Sequence, residues 1–413
     1  MRVLSGAAAE QRVALLANRG SNFTALEPLV RKIVEDVRRS GDRALRRYAE
    51  KWDGLARSAA IRLPESALES AANSIAPTLR TSIKQAAANI RRFCQWQRPQ
   101  AWTRKAAGMS LGQIVRPIES VGCYVPGGRH PLVSTLLMTV IPAQTAGVPE
   151  IRVVSPNPTA EVLAAAHMLG VREVYRVGGA HAIAALAYGT KGIARVDKIV
   201  GPGNLYVTVA KKIVAFDCSI DFLAGPTEVV ILSSKGRPDF IAADLVAQAE
   251  HDPAAVPIFI TTSRRLARDV SDEVARLIVG NVTAAESVKR SGAILVAGSD
   301  KVAVAWANRI APEHITVDEQ YLSSVQNAGS IFVGDYSAQA AGDYASGPNH
   351  VLPTAGVARF RGGLTVGDFV KLITVQRVSK TGLQAIAKSI TTLAETEGLP
   401  AHAESIRVRC AIA

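Results

Sequence analysis

Residues 174–215 read VYRVGGAHAIAALAYGTKGIARVDKIVGPGNLYVTVAKKIVA, and this stretch decides the fold. Val174–Val177 and Val196–Val200 are short β-branched runs with the length and composition of buried strands. Ala182–Tyr188 and Leu205–Ala215 are apolar segments with helical character. Gly178-Gly179 and Gly201-Pro202-Gly203-Asn204 stand where strand gives way to helix. A strand, a glycine turn and a helix in repeated order make βαβ units and a parallel sheet.

The pattern extends in both directions. Ile151–Val154 with the helical segment Glu161–Leu169 precedes it, and Val229–Leu232 with Asp239–Glu250 follows. Ile258–Thr261, Ala293–Val296, Ile315–Val317 and Ile331–Val333 continue the strands. Upstream, residues 24–52 place Leu29, Val30, Ile33, Val34 and Val37 at helical spacing, interrupted at Gly41. A second helical stretch from Ser66 to Trp96 breaks at Pro77. From Thr365 onward a helical segment without strands is expected.

The expected fold is α/β, with two Rossmann-like parallel-sheet domains that lack the GxGxxG fingerprint and a helical C-terminal segment. The expected division is an N-terminal arm (1–23), a discontinuous first domain (24–122 with 228–364), a second domain (123–227) and the C-terminal segment (365–413).

Composition narrows the function classes. The chain has 413 residues, of which 48% are hydrophobic and 20% charged, as in a folded globular protein rather than a disordered one. No uninterrupted apolar run is long enough for a membrane-spanning helix. Met1 to Gly20 carries Glu10 and Arg12 where a secretory signal needs an apolar run. Cys94, Cys123, Cys218 and Cys410 lie far apart without a CxxC pair, which fits reduced thiols in the cytoplasm. The net charge is +13, and residues 1–105 carry most of it, with 20 basic and 9 acidic residues. The acids are interleaved, as in Arg31-Lys32 followed by Glu35-Asp36. That is the pattern of a solvated helix face, and no nucleic-acid motif accompanies it. No nucleic-acid or membrane partner is expected.

Chemistry is expected in the turns after strands, since parallel sheets bind ligands beyond their carboxyl ends. These turns are Tyr124-Val125-Pro126-Gly127-Gly128, Gly178-Gly179-Ala180, Gly201-Pro202-Gly203-Asn204 and Ala224-Gly225-Pro226-Thr227. The Gly201 turn enters a helix, where a pyrophosphate would meet free backbone N–H groups. Plain βα turns account for the same pattern. Gln248 and His251 stand i, i+3 at a helix end, so both project from one face. Asp343 and His402 are further oxygen and nitrogen donors that could complete a four-ligand N/O set, but spacing does not show that they converge. A surface helix end is the alternative. Glu313 and His314 are two bases of different strength side by side, a useful pair for proton transfer and water activation. Neighbours in an extended strand face opposite ways, so sharing one site requires an irregular turn. The alternative is a loop glutamate beside a buried histidine.

Taken in order, these turns resemble the histidinol dehydrogenase family. The other carriers are Gln248-Ala249-Glu250-His251-Asp252-Pro253, Ala311-Pro312-Glu313-His314, Gly342-Asp343-Tyr344-Ala345-Ser346-Gly347-Pro348-Asn349-His350 and Glu397-Gly398-Leu399-Pro400-Ala401-His402. The resemblance spans roughly residues 20–410. It implies oxidation of L-histidinol to L-histidine through the aldehyde, with two NAD and one zinc. It also implies zinc ligands Gln248, His251, Asp343 and His402, and catalytic roles for Glu313 and His314. Thr227, His350 and Glu397 join Gln248, His251, His314, Asp343 and His402 as substrate-binding residues. Tyr124 and Asn204 match cofactor contacts. A domain-swapped homodimer is implied, in which His402 and Glu397 serve the other subunit.

Two positions depart from the family pattern. His181 stands where the family has Gln, and Arg129-His130-Pro131 replace small residues and Thr. A cation at Arg129 facing the substrate would disfavour a cationic amino alcohol and favour an anionic hydroxy or diol substrate, the second reading. A zinc-binding scaffold without catalysis is a third, against which the retained Glu313-His314 pair speaks.

Overall fold

The structure, a computed structural model, describes residues 1–19, 24–127, 132–223 and 225–411. Two parallel sheets form its body. The first has six strands in the order Arg2–Ser5, Ala293–Val296, Val256–Thr261, Glu228–Leu232, His314–Val317 and Ser330–Val333. The second has five: Glu173–Tyr175, Glu150–Val154, Ser120–Tyr124, Lys198–Val200 and Ser219–Ile220. Their central strands, Glu228–Leu232 and Ser120–Tyr124, are buried at every position. Helices cover both faces of each sheet, which is why such strands are near-continuous apolar runs instead of alternating ones.

The six-stranded sheet holds one apolar cluster around Trp306, Ile258 and Leu295 and another around Phe259, Leu245 and Val270 on its opposite face. The five-stranded sheet is likewise clad by two clusters. The expected strands and helices of the α/β series are present, and so are the breaks at Gly41 and Pro77. The helices there run Glu27–Ser40, Asp42–Trp52, Glu65–Ser74 and Pro77–Trp96.

Three expectations are corrected. The helices of residues 24–96 pack mainly on the five-stranded sheet, although Pro77–Trp96 also meets residues 345–364, where Asn89 donates to the Ala345 carbonyl at 2.9 Å. Val30, Val34, Val37, Ala44 and Leu45 join the core of the five-stranded sheet beside Tyr175 and Ile183. Leu68, Ile83 and Ile90 pack on its other face with Leu136 and Ile141. Their apolar stripes seek the nearest large apolar surface, and sequence order does not say which sheet offers it. Nor is the N-terminus a free arm. Arg2–Ser5 is the edge strand of the six-stranded sheet, and helix Gly6–Ala17 buries Ala9, Val13 and Leu16 in its core.

The third correction concerns the C-terminal segment, which contains a nine-residue strand. Val370–Val378 pairs antiparallel with Met109–Pro117, which also pairs with Trp102–Ala106. The strand is largely exposed, so no burial pattern marked it. Its β-branched content (Val370, Ile373, Thr374, Val375, Val378) was the available signal. Helices Lys380–Thr396 and Pro400–Ala411 follow. Among the described residues no helix is long and apolar enough to cross a membrane.

Candidate active site

The Gly201 turn, at the carboxyl end of a strand of the five-stranded sheet, shares a cavity with residues at the amino ends of two strands of the other sheet, Pro202 and Gly203 lining it with Thr227 and Glu313. Thr227 precedes strand Glu228–Leu232, and Glu313 precedes strand His314–Val317. The Gly201 turn follows a strand as expected, whereas the Thr227 turn, also expected to follow one, leads into strand Glu228–Leu232.

The cavity, of about 210 Å³, is lined among others by Thr227, Gln248, His251, Glu313, His314, Asp343 and His350. Glu313 and His314 share it because Glu313 stands just before the strand, outside its alternation. Glu313 Oε2 accepts hydrogen bonds from Thr227 Oγ1 at 2.6 Å and from the Glu228 N–H at 2.9 Å. The Gln248 amide donates to Thr227 Oγ1, and its Oε1 accepts from Gln339 Nε2 at 2.7 Å. Gln339, fully buried, is a supporting residue with no sequence signal; only the fold places helix Gln339–Tyr344 beside helix Pro238–Ala249.

The His314 ring lies between two carboxylates. Nε2 is 3.4 Å from Asp343 Oδ1, and Nδ1 is 3.7 Å from Glu313 Oε2. His314 Nδ1 is buried and has no hydrogen-bond partner. Burial pushes the Glu313 carboxyl up to about 7, opposed by the His314 charge and the Thr227 hydrogen bond. Burial works against a charged His314, but the charges of Glu313 and Asp343 and the Asp343 hydrogen bond outweigh it, and the net direction is up. Asp343 is held below its usual value despite burial, chiefly by His314. Groups this close share protons as a unit. His350 donates from Nδ1 to the Asp343 carbonyl at 2.8 Å, and burial lowers its pKa, which leaves a neutral ring.

Three of the four expected metal donors, Gln248, His251 and Asp343, line this cavity. An amide oxygen, an imidazole and a carboxylate suit a divalent zinc ion. The fourth, His402, is exposed on helix Pro400–Ala411, and Glu397 is exposed just before it; neither lines the cavity. Among the described residues no three His, Cys, Asp or Glu side chains are grouped to hold a metal. The donor chemistry fits, and this cavity brings together three of the four expected donors.

A second cavity, about 620 Å³, opens on the other side of the Gly201 turn and takes in Tyr124 and Asn204. Gly201 sits at φ 113, and a Cβ there would meet the Tyr124 carbonyl oxygen at 2.2 Å, so only glycine permits this close passage. Asn204 caps helix Leu205–Val214 by accepting from the Val207 N–H. Tyr124 accepts from the Gly179 N–H at 3.1 Å. Asp53, which no motif marks, also lines this cavity. Arg129 and His130 lie outside the described residues, so the reading built on them is not placed. The described lining of the 210 Å³ cavity carries two carboxylates and no lysine or arginine.

Comparison with known proteins bears on this arrangement. The family model described as histidinol dehydrogenase matches residues 16–410. A histidinol dehydrogenase of Methanothermobacter thermautotrophicus is 46% identical over 397 residues, 92% of each chain. One from Haloarcula marismortui is 45% identical over 423 residues, 99% of each chain. The crystal structure of histidinol dehydrogenase from Elizabethkingia anophelis superposes with a TM-score of 0.94 at 34% identity, covering 99% of this chain and 98% of that one.

Proposed function

The chain belongs to the histidinol dehydrogenase family, and from that premise we propose that it oxidises L-histidinol to L-histidine through the aldehyde, with zinc and NAD. One observation carries the reading: Glu313 and His314 converge with Gln248, His251 and Asp343 on a single cavity. Two carboxylates in that lining suit a substrate with an ammonium group, and they disfavour the anionic alcohol of the second reading.

Gln248, His251 and Asp343 would hold zinc with His402 of a second copy. Zinc held there would supply a Lewis acid to orient the amino alcohol and polarise its oxygen, and bound NAD would be the hydride acceptor. His314 Nδ1, unpartnered in the buried wall, is the base for the alcohol proton as the C–H bond breaks. Asp343, at Nε2, steadies the imidazolium that results. Glu313 then takes a proton from the water that attacks the aldehyde. Thr227 and the Glu228 N–H hold its Oε2, so its Oε1 is the free acceptor. His350 and the second copy's Glu397 would bind substrate, while Tyr124 and Asn204 line the cofactor cavity. The working unit is then a homodimer with shared sites. A cytoplasmic setting suits the four free cysteines, three of them buried.

The test is NADH formation by zinc-loaded protein with L-histidinol as sole substrate. Two NADH per histidinol consumed is the expected yield. A single NADH, or none, overturns the four-electron reading.

A further inference from the structure

Within the larger cavity stands a carboxylate that the reaction above does not use. Asp53 closes helix Asp42–Trp52 and is 6% exposed. Its Oδ2 accepts from the Gly178 N–H at 3.0 Å and is 2.7 Å from His181 Nε2. His181 is 1% exposed, and its Nδ1 is buried without a partner. A carboxylate oxygen only accepts, so His181 Nε2 is the donor in this contact. Asp53 Oδ1 has no hydrogen-bond partner among the described residues, and it is not one of the buried unpartnered atoms. The Gly178 N–H and the His181 ring N–H thus fix the carboxylate. Among the described residues lining this cavity there is no lysine or arginine.

Beside Asp53 the wall is flat and apolar. Trp52 is 49% exposed and stacks on Tyr48 with ring centroids 4.8 Å apart, and Tyr206 is 41% exposed. Such surfaces take a planar heterocycle. The Gly201 turn separates this cavity from the catalytic one, with Pro202 and Gly203 lining the catalytic side and Asn204 the other. A dinucleotide whose reacting ring lies by His314 therefore places its far nucleoside here.

We propose that Asp53, buttressed by His181, accepts the hydroxyls of the adenosine ribose and rejects a 2′-phosphate, making it the residue that selects NAD over NADP. The inference rests on the dinucleotide reading above. A carboxylate accepts from a diol and repels a phosphate dianion; the Lys51 ammonium lies 5.3 Å from the centre of the Trp52 ring and is not paired with Asp53. His181 acts as a positioning residue: its N–H holds Asp53 in place.

The test is calorimetric titration of the wild type with NAD+, NADP+ and an NAD+ analogue lacking the adenosine 2′-hydroxyl. NADP+ should bind about 100-fold weaker than NAD+, and the deoxy analogue about tenfold weaker. In Asp53→Asn, checked as folded by its melting curve, the NAD+/NADP+ ratio should fall at least tenfold. His181→Phe should raise KM for NAD+ with little change in kcat, whereas His181→Gln, which keeps an N–H donor, should not. Equal binding of NAD+ and NADP+ by the wild type overturns the proposal. So does an unchanged ratio in folded Asp53→Asn, or equal loss in both His181 variants. If Asp53→Asn does not fold, the deoxy analogue decides alone. Failure of the wild type to bind either dinucleotide removes the underlying reading as well, and is distinct from binding without discrimination.

Discussion

Thr227 Oγ1 donates to Glu313 Oε2 at 2.6 Å while accepting from the Gln248 amide, so one hydroxyl joins the expected base to an expected metal donor. The hydroxyl has one proton, and giving it to the carboxylate fixes the direction of both bonds. Replacing Thr227 by Val keeps the shape and removes the link. The expected outcome is a fall in kcat of about tenfold, with Thr227→Ser near wild type. Steady-state rates for both variants check it.

The two bases should separate by half-reaction. His314→Asn should slow both oxidations by about 100-fold or more. Glu313→Gln should allow the first hydride transfer and arrest the second, so that a single turnover yields one NADH per site instead of two. Equal loss of both NADH in Glu313→Gln would remove the distinct role given to Glu313.

His402 and Glu397 are exposed on the C-terminal helices and away from the cavity that holds the other donors. If His402 completes the site of a second copy, His402→Asn and His251→Asn are each inactive alone. Unfolded together and refolded at equal amounts, they should recover about a quarter of wild-type activity. Half the dimers are then mixed, and each mixed dimer has one intact site. No recovery in refolded mixed dimers would mean that His402 does not act across subunits.

Lys211 and Asp221 form a buried ion pair under the Gly201 turn. Asp221 also accepts from the Gly201 N–H at 2.8 Å and the Phe222 N–H at 2.6 Å, and Lys211 donates to the Gly201 carbonyl at 3.0 Å. Asp221→Ala leaves a buried cation and two backbone donors unpaired. Urea unfolding should show a loss of about 3–5 kcal/mol. Lys211→Met should cost less, because the carboxylate keeps its backbone donors.

Burial alone pushes the Asp244 carboxyl up to about 6, above its value of roughly 3.9 in an unfolded chain. The folded state therefore holds this proton more tightly than the unfolded state. Below about pH 4 both states are protonated and the group is neutral in its effect; above about pH 6 folding bears the full cost of the charge. Asp244→Asn should raise the melting temperature at pH 8 by about 2–4 °C and leave it unchanged at pH 4. Equal shifts at both pH values would count against this account.

Much of the site was legible in local chemistry. The turns at Gly178 and Gly201 announced themselves through glycine between a β-branched run and an apolar helix. Gln248 and His251 were readable as donors beside a helix end, but the helix stops at Ala249 and His251 lies beyond it, so the expected shared helix face does not place it. Asp53 was not readable, since a lone aspartate at a helix end has no pattern. Gln339 was equally silent: its role depends wholly on the helix it touches. The strand Val370–Val378 was missed because an exposed strand carries no burial alternation to read.

By itself the sequence determined most elements of the βα series, though not the strands Arg2–Ser5 and Val370–Val378. Side-chain period and β-branching are properties of consecutive residues, so strands such as Val229–Leu232 and the breaks at Gly41 and Pro77 follow from local sterics. Only the tertiary structure decided which sheet claims the helices of residues 24–122, and that the Gly201 turn of one sheet shares a cavity with residues at the amino ends of two strands of the other. It also decided that Thr227, Glu313, His314 and Asp343 share a cavity, and that His402 does not. These depend on contacts between residues far apart in sequence. Such contacts are set by the total apolar surface each packing buries, and no single stretch encodes that sum.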